Sequence, residues 1–322
     1  MNLKYQLVLG ARELRKGAED VIGRYAPSPS GAQHLGNIQT ALLAWLQARM
    51  AGGKFILRMD DLDAPRIKLG SAEQIIDDLK WIGLDWDNVV GARYTADEQR
   101  VYAQSNNLAV YQKVFETLVE QGQVFPCVCS RKQIKHKVGR PNTAGHYIYP
   151  GSCRKLDARE YLHKKGIAWR FSVSAEPILF TDRIMGTQNQ NLALEWGDFI
   201  IKRKDGIFAY QFASVVDDVY LKVTDVVRGE DLLSSTPAQI AIYNALNQLP
   251  PRFWHMPLKR DDAGLKLSKR DGADSLQLLR ADAKTPEQVL GRLAYDLGLM
   301  TDDRPLELNE LLSELTQSEV QT

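Results

Sequence analysis

Two short segments carry side chains suited to holding phosphate. The first, RYAPSPSGAQHLGN from Arg24 to Asn37, lies between a strand-like and a helix-like run. Its prolines and glycines shape a tight loop that ends at a helix N-terminus, where backbone N–H groups favour an anion such as a triphosphate. His34 and Asn37, with Gly36 between them, stand at that helix start and can donate hydrogen bonds as charge develops on phosphorus. The second segment, LKLSKRDG, holds Lys266 and Lys269 in a loop able to close over a triphosphate and neutralise it. Taken alone, a His-x-x-Asn is more often a helix cap, and a lysine pair more often an ordinary surface loop. Both in one chain point to nucleotide chemistry.

A third group is metallic in character. All three cysteines fall close together, as Cys127, Cys129 and Cys153. That is too few for a disulfide scaffold, and thiolates are preferred ligands of zinc, which wants four. His136 and His146 are chemically usual fourth ligands; the plainer alternative is that Cys127 and Cys129 are core residues of a strand.

The elements that must position these groups alternate. VIGRYA reads as a strand, NIQTALLAWLQARM as a helix stopped by Gly52-Gly53, and KFILRMD as a strand, which argues for a parallel α/β sheet. Ser71 with Gln74, Thr95 with Glu98 and Thr285 with Gln288 match capping boxes; the second is expected to open a long helix reaching about Gln121. Residues 1–20 read as an extension, and 21–125 as the first half of a nucleotide-binding domain. Residues 126–196, with cysteines, turns and the strand-like runs AWRFSVS and PILFTDR, read as an inserted α+β unit. Residues 197–257 form the second half, with a hairpin expected at Asp205-Gly206, the strand LKVTDVVRG and a helix opened by Thr236-Pro237 and Gln239. Residues 258–322 hold the lysine loop and a helical C-terminal part.

Composition excludes several classes. The 322 residues carry 41 basic and 40 acidic side chains, a net charge of +1, which is less basic than proteins that grip long DNA by its phosphates. No apolar stretch reaches membrane-spanning length, and no signal-peptide core follows Met1. A cytoplasmic enzyme, monomeric and without a membrane partner, is the expectation.

The first segment resembles the leading signature of class I aminoacyl-tRNA synthetases, in the form used by the glutamyl and glutaminyl branch. The second resembles the mobile Lys-Met-Ser-Lys-Ser loop of the same class, and order and separation agree. The resemblance covers the chain from about Gly23 onward. It implies a Rossmann-type parallel-sheet domain split by the inserted unit, and ATP-dependent activation of L-glutamate as an adenylate, Mg²⁺ arriving with the ATP. It makes His34, Gly36, Asn37, Lys266 and Lys269 the ATP contacts, with His34, Asn37 and Lys269 catalytic. It makes Arg24, Ala26, Ser28, Asp60, Tyr210 and Arg228 the glutamate site. An arginine fork suits a carboxylate and an acid suits the amine, although the family's usual glutamate is here Asp60, one methylene shorter.

About fifty residues follow LKLSKRDG, where full-length glutamyl-tRNA synthetases continue into an anticodon-binding region. With the Cys-x-Cys and Tyr-x-x-x-Cys pattern, this resembles the truncated glutamyl-Q tRNA(Asp) synthetase family. That likeness implies one structural Zn²⁺ per chain on Cys127, Cys129, Tyr149 and Cys153. It also implies glutamate activation without tRNA, followed by transfer to queuosine in the anticodon of tRNA(Asp). The competing expectations are 3′-end charging of tRNA(Glu), small-molecule nucleotidylyl transfer, and a non-catalytic paralogue.

Overall fold

A computed structural model describes residues 20–87, 92–96, 99–142, 145, 147–257 and 275–317, with Lys4 and Gly10. The chain opens with β1 (Ile22–Tyr25), α1 (Leu35–Met50) and β2 (Lys54–Met59). Almost every side of α1 is apolar, so the helix is buried nearly all round between the sheet and other helices. Its exit requires glycine. Gly52 is left-handed (φ 73°), and a Cβ on Gly53 would stand 2.3 Å from the Val21 carbonyl oxygen.

The chain continues through α2 (Ser71–Trp81), β3 (Ala92–Ala96), β4 (Gln99–Ala103), α3 (Leu108–Glu120), β5 (Val124–Cys127) and α4 (Arg131–Val138). It then forms β6 (Ala168–Phe171), β7 (Ile178–Asp182), β8 (Gly186–Gln190), α5 (Leu192–Glu195) and β9 (Ile200–Lys202). The remainder is α6 (Tyr210–Tyr220), β10 (Asp225–Gly229), α7 (Thr236–Ala245), β11 (Arg252–Met256), α8 (Leu276–Ala281), α9 (Pro286–Asp296) and α10 (Leu308–Gln317).

The main sheet has the order β11-β10-β1-β2-β4-β3, parallel throughout except for β3. Strand order reverses between β1 and β10, which is where open α/β sheets bind ligands, beyond the strands' carboxyl ends. Register decides what points there. Arg24 lies opposite Ile56, and Gly23 opposite Asp225. Since side chains alternate, Arg24, Arg58 and Arg228 share one face, towards α6 and α7. The other face sends Phe55, Leu57 and Met59 into a core built with α1, α2, α9 and α10.

Three expectations from the sequence need correction. The Thr95 pattern opens no helix: Ala92–Ala96 and Gln99–Ala103 are an antiparallel pair, β4 gains β2 as a parallel partner, and the helix starts only at Leu108. Glu98 lies outside the described residues. Ser71 is not a cap, because Gly70 in the left-handed region takes that position and Gln74 bonds Asp78. The turn at Asp205-Gly206 is present, but its second arm reaches only a bridge at Phe208 before α6 begins. There Phe212, Val215, Val216 and Val219 recur at helical rather than strand spacing. The Thr285–Gln288 capping box is formed on both sides.

A second sheet, β5-β6-β9, takes its third strand from beyond the 196 boundary read in the sequence, and β7 and β8 form a separate hairpin. No described helix is long and apolar enough to cross a membrane.

Candidate active site

The first motif leaves β1 and enters α1. His34 occupies the N-cap position with extended backbone, yet its side chain makes no capping bond, and no acid lies in the first turn. Gly36 and Asn37 are exposed at this helix start, and the space beyond Gly36 is open. The amide of Asn37 donates to Gln33 Oε1 (3.2 Å), which also accepts the Tyr25 hydroxyl (2.6 Å). The loop is tied down by Asp60 N–H to Pro27 O (2.9 Å) and Lys68 N–H to Pro29 O (3.0 Å). Ala26 is half-buried and Ser28 exposed along it. The result is a helix N-terminus on a fixed loop with no acid in its first turn, which suits an anion.

Lys266 and Lys269 lie outside the described residues. Ser275, which follows the segment carrying them, pairs with His34, and Leu276 N–H reaches Gln33 O (3.3 Å). The chain therefore returns from the second motif directly onto the first.

Beside this loop stand the three arginines. Arg58, fully buried, is closed by acids. Its Nε and Nη2 meet both oxygens of Asp60 (2.7 and 3.3 Å), Nη1 meets Asp218 (2.7 Å), Nη2 donates to Ser214 Oγ (3.2 Å), and Asp217 lies 3.8 Å from Nε. Burial alone would lower its pKa, but Asp60, Asp218 and Asp217 outweigh this and hold it well above the ordinary value. Asp217 in turn accepts from Tyr102 (2.9 Å), Tyr111 (2.7 Å) and Gln104 (2.7 Å), and burial pushes it up to about 6. Burial likewise raises Asp60, against the pull of Arg58. Arg24 shares Asp218 at 3.4 Å.

Arg228 is equally hidden but differently held. Its Nε donates to His255 Nε2 (2.9 Å), Nη1 to Gln239 Oε1 (2.7 Å) and Nη2 to Thr236 Oγ1 (2.9 Å). Every one of these acceptors is uncharged, and no described carboxylate lies within ion-pair distance. Burial accordingly pushes Arg228 below its ordinary pKa. Tyr210 is partly exposed at the start of α6, and its hydroxyl lies beside the Arg228 guanidinium. The structure thus brings Arg24, Asp60, Tyr210 and Arg228 to one place at the switch point, next to the first motif.

Sequence reading missed several residues here. Thr236 and Gln239, which look like a helix opening, serve Arg228. Asp217 and Asp218 were visible as adjacent acids on an otherwise apolar helix face, and His255 as a lone histidine in the apolar run RFWHM. Tyr243 gave no signal; its buried hydroxyl has no hydrogen-bond partner among the described residues and feels the charges of Asp218, Arg24, Arg58 and Arg228.

The cysteines form a second centre. The sulfurs of Cys127, Cys129 and Cys153 all lie within 4.8 Å of one another, Cys129 and Cys153 at 3.5 Å. Tetrahedral zinc with Zn–S near 2.3 Å would separate its sulfurs by about 3.8 Å, so the donor set fits such an ion. Tyr149 Oη accepts Cys153 N–H (2.9 Å) and stands 3.9 Å from Cys129 Sγ. His136 is exposed on α4 and lies outside this group; His146 lies outside the described residues.

Comparison with known proteins follows the same lines. The family described as tRNA synthetases class I (E and Q), catalytic domain, matches residues 20–311. The glutamyl-Q tRNA(Asp) synthetase of Symbiobacterium thermophilum is 44% identical over 298 residues, 90% of each chain. That of Prochlorococcus marinus is 39% identical over 319 residues, covering 99% of this chain and 94% of the relative. A crystal structure of a glutamate tRNA ligase from Elizabethkingia meningosepticum in complex with its amino acid superposes with a TM-score of 0.76 at 27% identity. It covers 92% of this chain, which spans 65% of that longer one.

Proposed function

The chain belongs to the class I (E and Q) tRNA synthetase catalytic-domain family, and on that premise we propose that it activates L-glutamate with ATP, without tRNA, and passes it to queuosine in the anticodon of tRNA(Asp). The observation that carries the glutamate assignment is Arg228, a buried guanidinium with no described carboxylate in ion-pair contact, close to Arg24 and Tyr210. A substrate carboxylate supplies the missing charge and can accept from the guanidinium N–H groups that His255, Gln239 and Thr236 leave free. Asp60 meets the ammonium group, held back by Arg58 to the depth its shorter side chain requires; Ala26 and Ser28 line the entrance.

The glutamate α-carboxylate oxygen then attacks the ATP α-phosphorus, the bond to the bridging oxygen breaks, and pyrophosphate leaves. His34, Gly36 and Asn37 at the α1 N-terminus, with Lys266 and Lys269, hold the phosphates and stabilise the charge that builds up. Mg²⁺ enters with the ATP. In the second step a queuosine hydroxyl attacks the adenylate carbonyl carbon and AMP leaves. The acceptor assignment is supported by relatives of matching length that carry this name. Zinc on Cys127, Cys129, Cys153 and Tyr149 is structural and pins the loop between β5 and β6.

Glutamylation of queuosine-containing tRNA(Asp), unmodified tRNA(Asp) and tRNA(Glu), compared side by side, tests the acceptor: label is expected on the first alone, and exclusive labelling of tRNA(Glu) contradicts it. Metal analysis of the purified protein is expected to find about one zinc per chain, lost in Cys129→Ser; zinc retained in that variant removes Cys129 from the site.

A further inference from the structure

Arg228 is oriented by a buried chain that crosses from the β7–β8 hairpin to the main sheet. Asp182, at the end of β7, accepts His255 Nδ1 at 2.6 Å and the His255 backbone N–H at 3.2 Å. It also accepts the backbone N–H groups of Ile184 (2.9 Å) and Met185 (2.8 Å). His255 then accepts Arg228 Nε–H at 2.9 Å. Arginine can only donate, so Nε2 of His255 must be bare and its proton must sit on Nδ1, facing Asp182. Both His255 and Asp182 are within 1% of full burial. Phe253 stacks on His255 and lies under the Arg228 guanidinium, at 5.3 Å, so ring and fork are held in plane as well as in direction.

We infer that Asp182 and His255 are positioning residues for the substrate carboxylate: Asp182 fixes the tautomer of His255, and His255 fixes the plane of the Arg228 fork. The arrangement has a purpose that a direct Arg–Asp pair would defeat. The negative charge stands one imidazole away from the guanidinium, so Arg228 is aimed by a carboxylate without being neutralised by one. Its charge remains for the substrate, which favours glutamate over the uncharged glutamine. Burial, and the like charges of Arg228 and Arg24, hold His255 in its neutral form, with Asp182 opposing them. This inference rests on the glutamate assignment above.

Glutamate-dependent ATP–pyrophosphate exchange, measured for the full chain and for His255→Leu, His255→Gln and Asp182→Asn, tests it. A glutamine amide oxygen reaches the place of Nε2 and can accept from Arg228; leucine cannot. Loss of one buried charge-assisted bond corresponds to at least about tenfold. The expected result is therefore a KM for glutamate raised about tenfold or more in His255→Leu, mostly recovered in His255→Gln, and intermediate in Asp182→Asn, with the KM for ATP unchanged. Equal KM values for glutamate in the Leu and Gln variants overturn the inference, as does a parallel rise in both KM values, which marks a merely structural role. If the leucine variant fails to fold, Asp182→Asn decides: a rise confined to the KM for glutamate and exceeding that in His255→Gln is expected, and a parallel rise in both KM values, or none, overturns the inference. Absence of glutamate-dependent exchange in the unaltered protein instead overturns the glutamate assignment itself.

Discussion

Arg58 and Arg228 flank the same strand, share one face of the sheet and are both buried, yet they are built to opposite ends. Arg58 is surrounded by Asp60, Asp217 and Asp218, so its charge is spent inside the protein. Arg228 is gripped by a histidine, a glutamine and a threonine, so its charge is held in readiness. Burial of both costs solvation free energy; only in the first case does the folded chain itself supply the compensation. The difference separates a residue that shapes the site from one that binds.

The largest expected effect breaks the first half of the comparison. Arg58→Leu leaves Asp60 and Asp217 without their cation and Asp218 with Arg24 alone, and denaturant titration should show a loss of about 3–5 kcal/mol. A loss below about 1 kcal/mol would mean the cluster is not closed as described. Next, Arg228→Gln should cost less stability than Arg58→Leu, because the three buried hydrogen bonds it loses are to neutral acceptors and it leaves no buried acid without a cation. The KM for glutamate should rise about 100-fold, the worth of two charge-assisted hydrogen bonds. Stability falling as far as in Arg58→Leu would erase the distinction.

A smaller effect sharpens it. The folded protein keeps the Asp217 proton up to about pH 6, while the ordinary aspartate value is 3.8. Folding takes up a proton in that window, so the Asp217 contribution is fully present below about pH 4 and is lost as pH rises towards 6. Asp217→Asn should remove a slope of about 1.4 kcal/mol per pH unit between those limits. Matched wild-type and variant unfolding curves at pH 4, 5 and 6 read the slope directly, and parallel pH profiles would refute the raised value.

Much of this was legible in the sequence, and the rest was hidden for definable reasons. Strand–loop–helix alternation and the two phosphate motifs announced the nucleotide-binding half, and Arg24 and Arg228 stood in recognisable surroundings. The pairing of Arg58 with Asp60 could be guessed from their spacing, but its burial could not, because the second acid on Arg58, Asp218, lies 160 residues away in the chain. Asp182 and His255 are 73 residues apart, on a hairpin and a main-sheet strand that only tertiary packing brings together. The Thr95 segment misled because a capping pattern is local, while strand pairing with β2 is decided at a distance. Thr236 and Gln239 do open a helix as read, but their second role was hidden, since residue types that open a helix also make good neutral acceptors for a guanidinium.

The most direct test of the account is ATP–pyrophosphate exchange without tRNA, run with glutamate, glutamine, aspartate and no amino acid. Exchange that depends on glutamate alone is the predicted result. Exchange without any amino acid, or supported equally by glutamine, would contradict a pocket built around the unpaired charge of Arg228.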